Sequence, residues 1–495
     1  MAYCRRLRQL FDPTKSSSVR RLRGISAWAV LAFAMMTIYA AYFTSLTVRI
    51  HHALGTSAYD FGLYDQGIWL LSRGQTPFVT LMGRNLFGDH ASFILLLLVP
   101  LYWIFSSTAT LLVVQSIVIA MGGIPVFLYT RRYLSSEAMG AAMVAVYLIH
   151  PAVSWTNLEN FHPDSFLAVL VGLALYGALE RKWRIFGFAV VLAILVKEDV
   201  ALILVPIGLW VALRRDVKRG LIIAGGSALA MFVLIVVVMK HFTGVTFRNS
   251  WRIPFGGFRG LLWTAVRRPW KLVAYLVDGD RPFYLWQTLA PVGFVFIMAP
   301  EIVLTASLVL FTNIISTFWY QYHIQYHYSL VVVPVVIIGT VYAIGRAPKQ
   351  ARSLLVSLVL ASSLVTAYLW TPLPGGRAQI TPWYVDHPSV AAAEELFVLI
   401  PDAAVISVYH PLTAQLGRRK YIYAFPNPFV RSLYGPDVFA VGDRLPQADD
   451  VEFVMLPTTL LGESAAVWEA ERTRFDEVAS NAWWILYRRP PDVIP

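Results

Sequence analysis

The sequence predicts an α-helical polytopic membrane protein that ends in a small soluble α/β domain. Three observations lead there. The 495-residue chain is 57% hydrophobic and only 14% charged, with a mean hydropathy of +0.59, against the roughly 25% charged residues of globular chains. Apolar runs recur from residue 25 to residue 370, many close to the roughly 20 residues a helix needs to cross a bilayer. Beyond "TPLPGG" at 371–376 the balance shifts: residues 371–495 hold 10 Lys and Arg against 15 Asp and Glu, a net of −5 in a chain of net +12.

The organisation then reads in order. Residues 1–24 are a basic tail with seven Arg and Lys against Asp12, which places the N-terminus in the cytoplasm because basic loops stay inside. Residues 25–48 are too long for a signal-peptide core and lack a small-residue cleavage site, so they read as a retained anchor. Further basic clusters at 131–132, 181–184, 214–219 and 346–352 mark inner loops. About eleven crossings satisfy this parity, provided that residues 91–105, short and interrupted by Pro100, do not cross. The C-terminal domain, 371–495, is then extracytoplasmic. Within it, 403–409, 451–457 and 483–489 read as strands, and 389–400 and 465–475 as helices; with no nucleotide-binding or triad motif, an accessory role is expected. The single cysteine, Cys4, excludes an intramolecular disulfide. The basic loops account for the positive charge, and no nucleic-acid partner is expected.

Polar motifs interrupt the apolar chain, and by the same topology all fall on the outer side. Charges near a bilayer are costly, so a convergent set marks a site. "YDFGLYDQGIW" (59–69), in the first outer loop, 49–90, reads as an amphipathic interfacial helix carrying Asp60 and Asp65 about 140° apart. Either carboxylate suits general-base work. "FGDHASF" (87–93) holds Asp89 and His90, with Asp89 a helix N-cap or a ligand to a metal or phosphate. In "NLENFHPDSF" (157–166), Asp164 or Ser165 caps the helix after Pro163, while Glu159 and His162 are free to share a metal or orient a substrate. "VKEDVAL" (196–202) sets Lys197, Glu198 and Asp199 inside an apolar stretch, with Lys197 read as a phosphate-binding cation partnered by Glu198 or Asp199. "FWYQYHIQYHYSL" (318–330) carries Tyr322, His323 and His327, the histidines at i and i+4 on one helical face; an aromatic interfacial belt is the competing reading. Residues 241–284 hold Arg248, Arg252, Arg259, Arg267 and Arg268 among several Trp residues, a candidate contact for phosphate headgroups in which no residue stands out.

The order of "YDFGLYDQGIW", "GDH", "ENFHPDSF", "KEDVAL", "QYHY" and "YIYAFP" (421–426) resembles a bacterial family of predicted membrane proteins of unknown function (a DUF family), usually placed beside the GT-C glycosyltransferases. That resemblance implies a GT-C-like fold and transfer of a sugar from a polyprenyl-phosphate donor to an envelope glycan, lipid or protein at the outer membrane face. It implies Asp60 or Asp65 as the base toward the acceptor hydroxyl and Lys197, with loop arginines, on the lipid phosphate. The remaining polar residues named above would line the substrate site. The sequence departs from the GT-C pattern in having no adjacent acidic pair in the first loop. The cofactor is left open, a divalent cation being one candidate. The rival expectation is a transporter or flippase for a lipid-linked sugar, which would show related halves with broken helices; no internal repeat is evident.

Overall fold

The computed structural model describes residues 26–105, 107–380, 386–432 and 442–490; the basic tail, 1–24, lies outside the described residues. The chain is mostly helical up to Trp370 and mixed α/β beyond. Five helices among the described residues are long and apolar enough to cross a membrane: Ala27–His52, Thr110–Tyr133, Val217–Thr243, His327–Arg346 and Lys349–Trp370. A sixth unit, Glu137–Leu148 with Pro151–Leu158, bends by 51°, because Pro151 cannot continue the preceding hydrogen-bond ladder. Shorter apolar helices follow, among them Pro163–Leu179 and Trp183–Ile194; the sequence-based number of eleven counts such pieces as spans.

Burial sorts these helices into an inner and an outer set. His327–Arg346 is 83% buried and forms the centre, whereas Val217–Thr243 is 11% buried and Ala27–His52 17%. Leu221, Ile222, Leu229, Phe232, Phe33 and Ile38 are exposed. Apolar faces of that extent are tolerable in lipid and not in water. The outer Val217–Val233 helix still packs tightly against Ala201–Arg214 through glycines. A Cβ on Gly220 would lie 2.1 Å from the Ala212 backbone nitrogen, and one on Gly208 2.6 Å from that of Ala224. Small residues let helix backbones approach where no hydrophobic force from water drives them together.

Residues 91–105 form a 3₁₀ turn, Phe93–Leu98, and one short helix, Val99–Ile104. Six 3₁₀ residues at about 2.0 Å each and six α-helical residues at about 1.5 Å each span about 21 Å, well short of a hydrocarbon core of roughly 30 Å.

The first loop differs from the amphipathic helix read in the sequence. The Ala27–His52 helix ends by turning through a π-type turn, Ala58–Gly62, before a separate helix, Leu63–Ser72. Asp60 lies in that turn with φ 64° and ψ −79°. The two carboxylates therefore do not share one helix. A two-strand ribbon follows, β1 Phe78–Val79 pairing antiparallel with β2 Arg84–Asn85.

The C-terminal domain holds a five-stranded sheet of β3 Ile406–Val408, β4 Ile422–Ala424, β5 Phe453–Pro457, β6 Asp476–Ser480 and β7 Trp484–Arg488, in the order β4-β3-β5-β7-β6. β4, β3 and β5 run parallel, while β7 is antiparallel to both β5 and β6. The three strands and two helices expected from the sequence are present, shifted by a few residues; β4 and β6 were not expected. β4 and the segment before it lie against the first loop. Thr80 Oγ1 donates to the Ile422 carbonyl at 2.6 Å and accepts from the Ile422 amide at 3.0 Å, and Gln66 Nε2 donates to the Arg419 and Lys420 carbonyls at 3.2 Å. The domain thus braces the loop that carries Asp60.

Candidate active site

Four chain segments meet beneath the Asp60 turn. Gln115, fully buried on the Thr110–Tyr133 helix, clamps the 156–162 connection: its Nε2 donates to the Thr156 and Glu159 carbonyls, and its Oε1 accepts from the His162 amide at 2.9 Å. Asn160 Oδ1 accepts from the Ser57 amide at 3.3 Å, tying that connection to the first loop. Glu198 pins the third segment, with Oε1 2.8 Å from His90 Nδ1 and Oε2 accepting from the Ala91 amide at 3.1 Å. His327 opens the fourth segment, and its amide donates to Glu159 at 2.7 Å.

These contacts enclose a small polar cavity of about 40 Å³, lined by Asp60, Asp89, His90, His162, Asp164, Lys197, Arg248, Arg252, His327 and Tyr328 among others. A second cavity of about 280 Å³ shares His90, Lys197, Arg248, Asn249, Arg252 and Tyr328 with it. Away from that shared wall its lining turns apolar, with Leu202, Ile235, Met239, Ile253 and Ile315. The pair forms one polar chamber continuous with an amphipathic one, and the cations stand at the junction.

Within the chamber the charges are layered. Asp60 is the accessible carboxylate, its side chain 48% exposed and Oδ1 3.4 Å from His162 Nε2. Its left-handed φ is a strained backbone for a non-glycine residue, the kind of strain that collects at functional sites. His162 presents both ring nitrogens to oxygens, Nδ1 lying 2.8 Å from the Asn160 carbonyl and 4.0 Å from Glu159. Burial alone would lower its pKa, but the negative charges of Glu159, Asp60 and Asp164 outweigh this and hold it up at about 9. Burial pushes the Glu159 carboxyl up to about 8, against the pull of His162. The His162 and His327 rings stack with centroids 3.7 Å apart.

Lys197 Nζ lies 3.7 Å from both Asp164 and Asp199 and 5.5 Å from the centre of the Tyr328 ring. Of the two partners expected, Asp199 is there and Glu198 is not, having gone to His90. Asp164 replaces it, so Asp164 caps nothing: the 3₁₀ turn Pro163–Phe166 has no side-chain cap. Asp89 is no N-cap either: the Phe93–Leu98 turn that follows begins after Ser92 and has no side-chain cap. Asp89 is gripped by Arg84 at 3.1 Å and by Arg248. Burial disfavours its charge, yet His90, Arg84 and Arg248 prevail and keep its carboxyl well below the usual range.

Three sequence-predicted site residues lie elsewhere. Asp65 faces away from the chamber, fully buried, accepting from Tyr102 OH at 2.7 Å and lying 3.4 Å from Arg418 Nη2 in the C-terminal domain. Burial raises its pKa, which Arg418 and Tyr102 only partly offset. Tyr322 and His323 line neither cavity. Residues 319–322 and 327–332 are separate 3₁₀ segments, so the histidines do not share a helical face. His323 lies 3.4 Å from Asp280, and the Tyr322 ring lies under Arg281. Conversely, Arg248, Arg252, Asp164 and Tyr328 belong to the chamber. The density of arginines in the 241–284 loop was the signal for the first two, but nothing in that loop ranks them.

The sequence from residue 50 to residue 489 matches a family described as predicted membrane protein (DUF2079). The chain belongs to the DUF2079 family. Among curated proteins none matches it. This DUF2079 chain is similar in fold to ArnT from Cupriavidus metallidurans in two solved structures. In the one bound to undecaprenyl phosphate the TM-score is 0.55 and the identity 16%, covering 94% of this chain and 99% of that one. In the apo state the TM-score is 0.54 and the identity 14%, with the same coverage. The GT-C-like fold expected from the sequence is thereby shown for this DUF2079 protein.

Proposed function

We propose that the protein is a GT-C-like membrane glycosyltransferase that moves a sugar from a polyprenyl-phosphate donor to an envelope acceptor on the outer face of the membrane. One observation carries the reading. Three cations, Lys197, Arg248 and Arg252, line both cavities at the wall they share, an arrangement suited to charge-assisted hydrogen bonds with a phosphate. The apolar cavity on one side of that wall suits a lipid chain, and the polar chamber on the other suits a sugar and a hydroxyl acceptor. ArnT, a GT-C glycosyltransferase of like fold, was captured with undecaprenyl phosphate, which supports the same donor class here.

In this reading Asp60 takes the acceptor proton, the charge that develops on the departing phosphate is stabilised by Lys197 and Arg252, and Asp164 and Asp199 hold Lys197 in place. Arg248 is fixed by Asp89 and contributes its positive field. Purified protein in nanodiscs, supplied with labelled polyprenyl-phosphate sugars and acceptor extracts, is expected to transfer label. Lys197→Ala and Arg252→Ala are each expected to weaken polyprenyl-phosphate binding by about ten- to a hundredfold, the worth of a charge-assisted hydrogen bond. Movement of labelled lipid across liposomes without any transfer would replace the enzyme with a flippase.

The same proposal puts the N-terminus and the inner loops in the cytoplasm and residues 371–495 outside as one soluble domain. A cysteine at position 389 (Ser389→Cys, with Cys4→Ser) is expected to react with an impermeant thiol reagent in intact cells. Labelling only after lysis would reverse the orientation.

A further inference from the structure

We propose that Glu159, His162 and His327 bind one divalent transition-metal ion of the zinc class, set directly behind Asp60. Glu159 and His162 lie three positions apart, a pair already legible in the sequence, and His327 comes from a segment 168 positions beyond Glu159. One ligand atom from each lies within 4.8 Å of the others. Some point therefore lies within 4.8/√3, about 2.8 Å, of all three atoms, against zinc–nitrogen distances of roughly 2.0–2.1 Å. Contraction by well under an ångström per side chain closes the gap, a movement that χ rotation supplies without shifting the backbone.

The imidazoles stack with centroids 3.7 Å apart and an interplanar angle of 23°, so sharing an ion requires the two rings to splay apart. Both Nδ1 atoms face the Glu159 carboxylate, that of His327 at 3.3 Å and that of His162 at 4.0 Å; His162 Nδ1 also lies 2.8 Å from the Asn160 carbonyl, a contact that ligation would displace. His162 Nε2 faces Asp60 at 3.4 Å. A histidine that ligates through one nitrogen and donates its other N–H to a carboxylate is the usual way a metal-bound ring is oriented. Two imidazoles and one carboxylate suit zinc and its neighbours, whereas magnesium takes all-oxygen sets. Three protein ligands leave a coordination position open; since His162 and His327 both line the polar chamber, that position faces the space beside Asp60. The competing occupant is a proton, with the three residues held together as a plain ion-pair cluster.

The test does not depend on glycosyl transfer. Protein without a histidine tag, stripped with chelator and held in detergent, is titrated calorimetrically with ZnCl₂, and bound metal is counted by mass spectrometry after gel filtration. The expected result is one retained zinc per chain, undisturbed by a hundredfold excess of magnesium. Glu159→Gln and His327→Gln should each weaken it by at least tenfold, and Co²⁺ should give visible absorption bands in the parent protein alone. His323→Gln, which removes a histidine outside the cluster, should leave zinc binding unchanged and controls for surface sites. Less than half an equivalent retained by monodisperse parent protein would overturn the assignment. So would affinity equal in parent and in a folded His162→Gln/His327→Gln variant.

Discussion

Asp60→Asn is expected to lower sugar transfer by about 10²–10⁴-fold, the usual contribution of a positioned proton acceptor, while polyprenyl-phosphate binding stays within about twofold. The substitution is unusually clean at this position. Asp60 occupies a turn with φ 64° and ψ −79°, and asparagine keeps the size and shape of the aspartate it replaces there. The turn, the stacked histidines and the chamber therefore persist, and only the basic oxygen is lost. Asp60→Ala would confound chemistry with strain, because alanine accepts that backbone poorly. The cations proposed to bind the phosphate are separate residues, Lys197 and Arg252, so a loss confined to kcat with lipid affinity retained separates the base from the donor site. Transfer within threefold of the parent would remove Asp60 from the chemistry.

Arg418→Ala is expected to destabilise the protein by about 3 kcal/mol, the low end for breaking a buried ion pair. The Asp65 side chain has no exposed surface, that of Arg418 is 14% exposed, and the pair joins the first loop to the C-terminal domain. Removing the guanidinium leaves a carboxylate with only Tyr102 to hold it. Asp65 would then take up a proton or draw in water, which is why the low end applies. The Asp65→Asn/Arg418→Gln double variant should recover part of the loss, with a coupling of about 1–3 kcal/mol, read from thermal unfolding in detergent. Strict additivity would show that the contact holds nothing together. Since the same domain also grips Gln66 and Thr80, Arg418→Ala should make the junction near residue 376 more sensitive to protease. This bracing is more than the accessory role that the absence of motifs suggested.

Much of the site was legible, and the reason is electrostatic. Asp60, Glu159, His162, Lys197 and His327 each interrupt an apolar stretch, and a chain tolerates such residues near lipid only where they can meet one another or water. What sequence spacing misjudged was pairing. Glu198 neighbours Lys197 in the chain but reaches His90, while Asp164, 33 positions away, takes its place beside the lysine. Asp60 and Asp65 share a motif but not a helix, because the backbone turns at Ala58–Gly62. His323 and His327 fail as an i, i+4 pair for the same reason: the helix that would align them is broken between them.

The amino-acid sequence by itself determined the membrane class, three of the five strands and the two helices read in the tail, and the short list of polar residues that lipid would not tolerate alone. Those are consequences of hydropathy and local propensity, which act over a few residues. The tertiary structure alone decided which of these residues face each other, that Arg248 and Arg252 of an unremarkable loop line both cavities, and that Asp65 pairs with Arg418 far along the chain. Side-chain partners separated by tens or hundreds of residues are chosen by packing, and no periodicity along the chain records that choice.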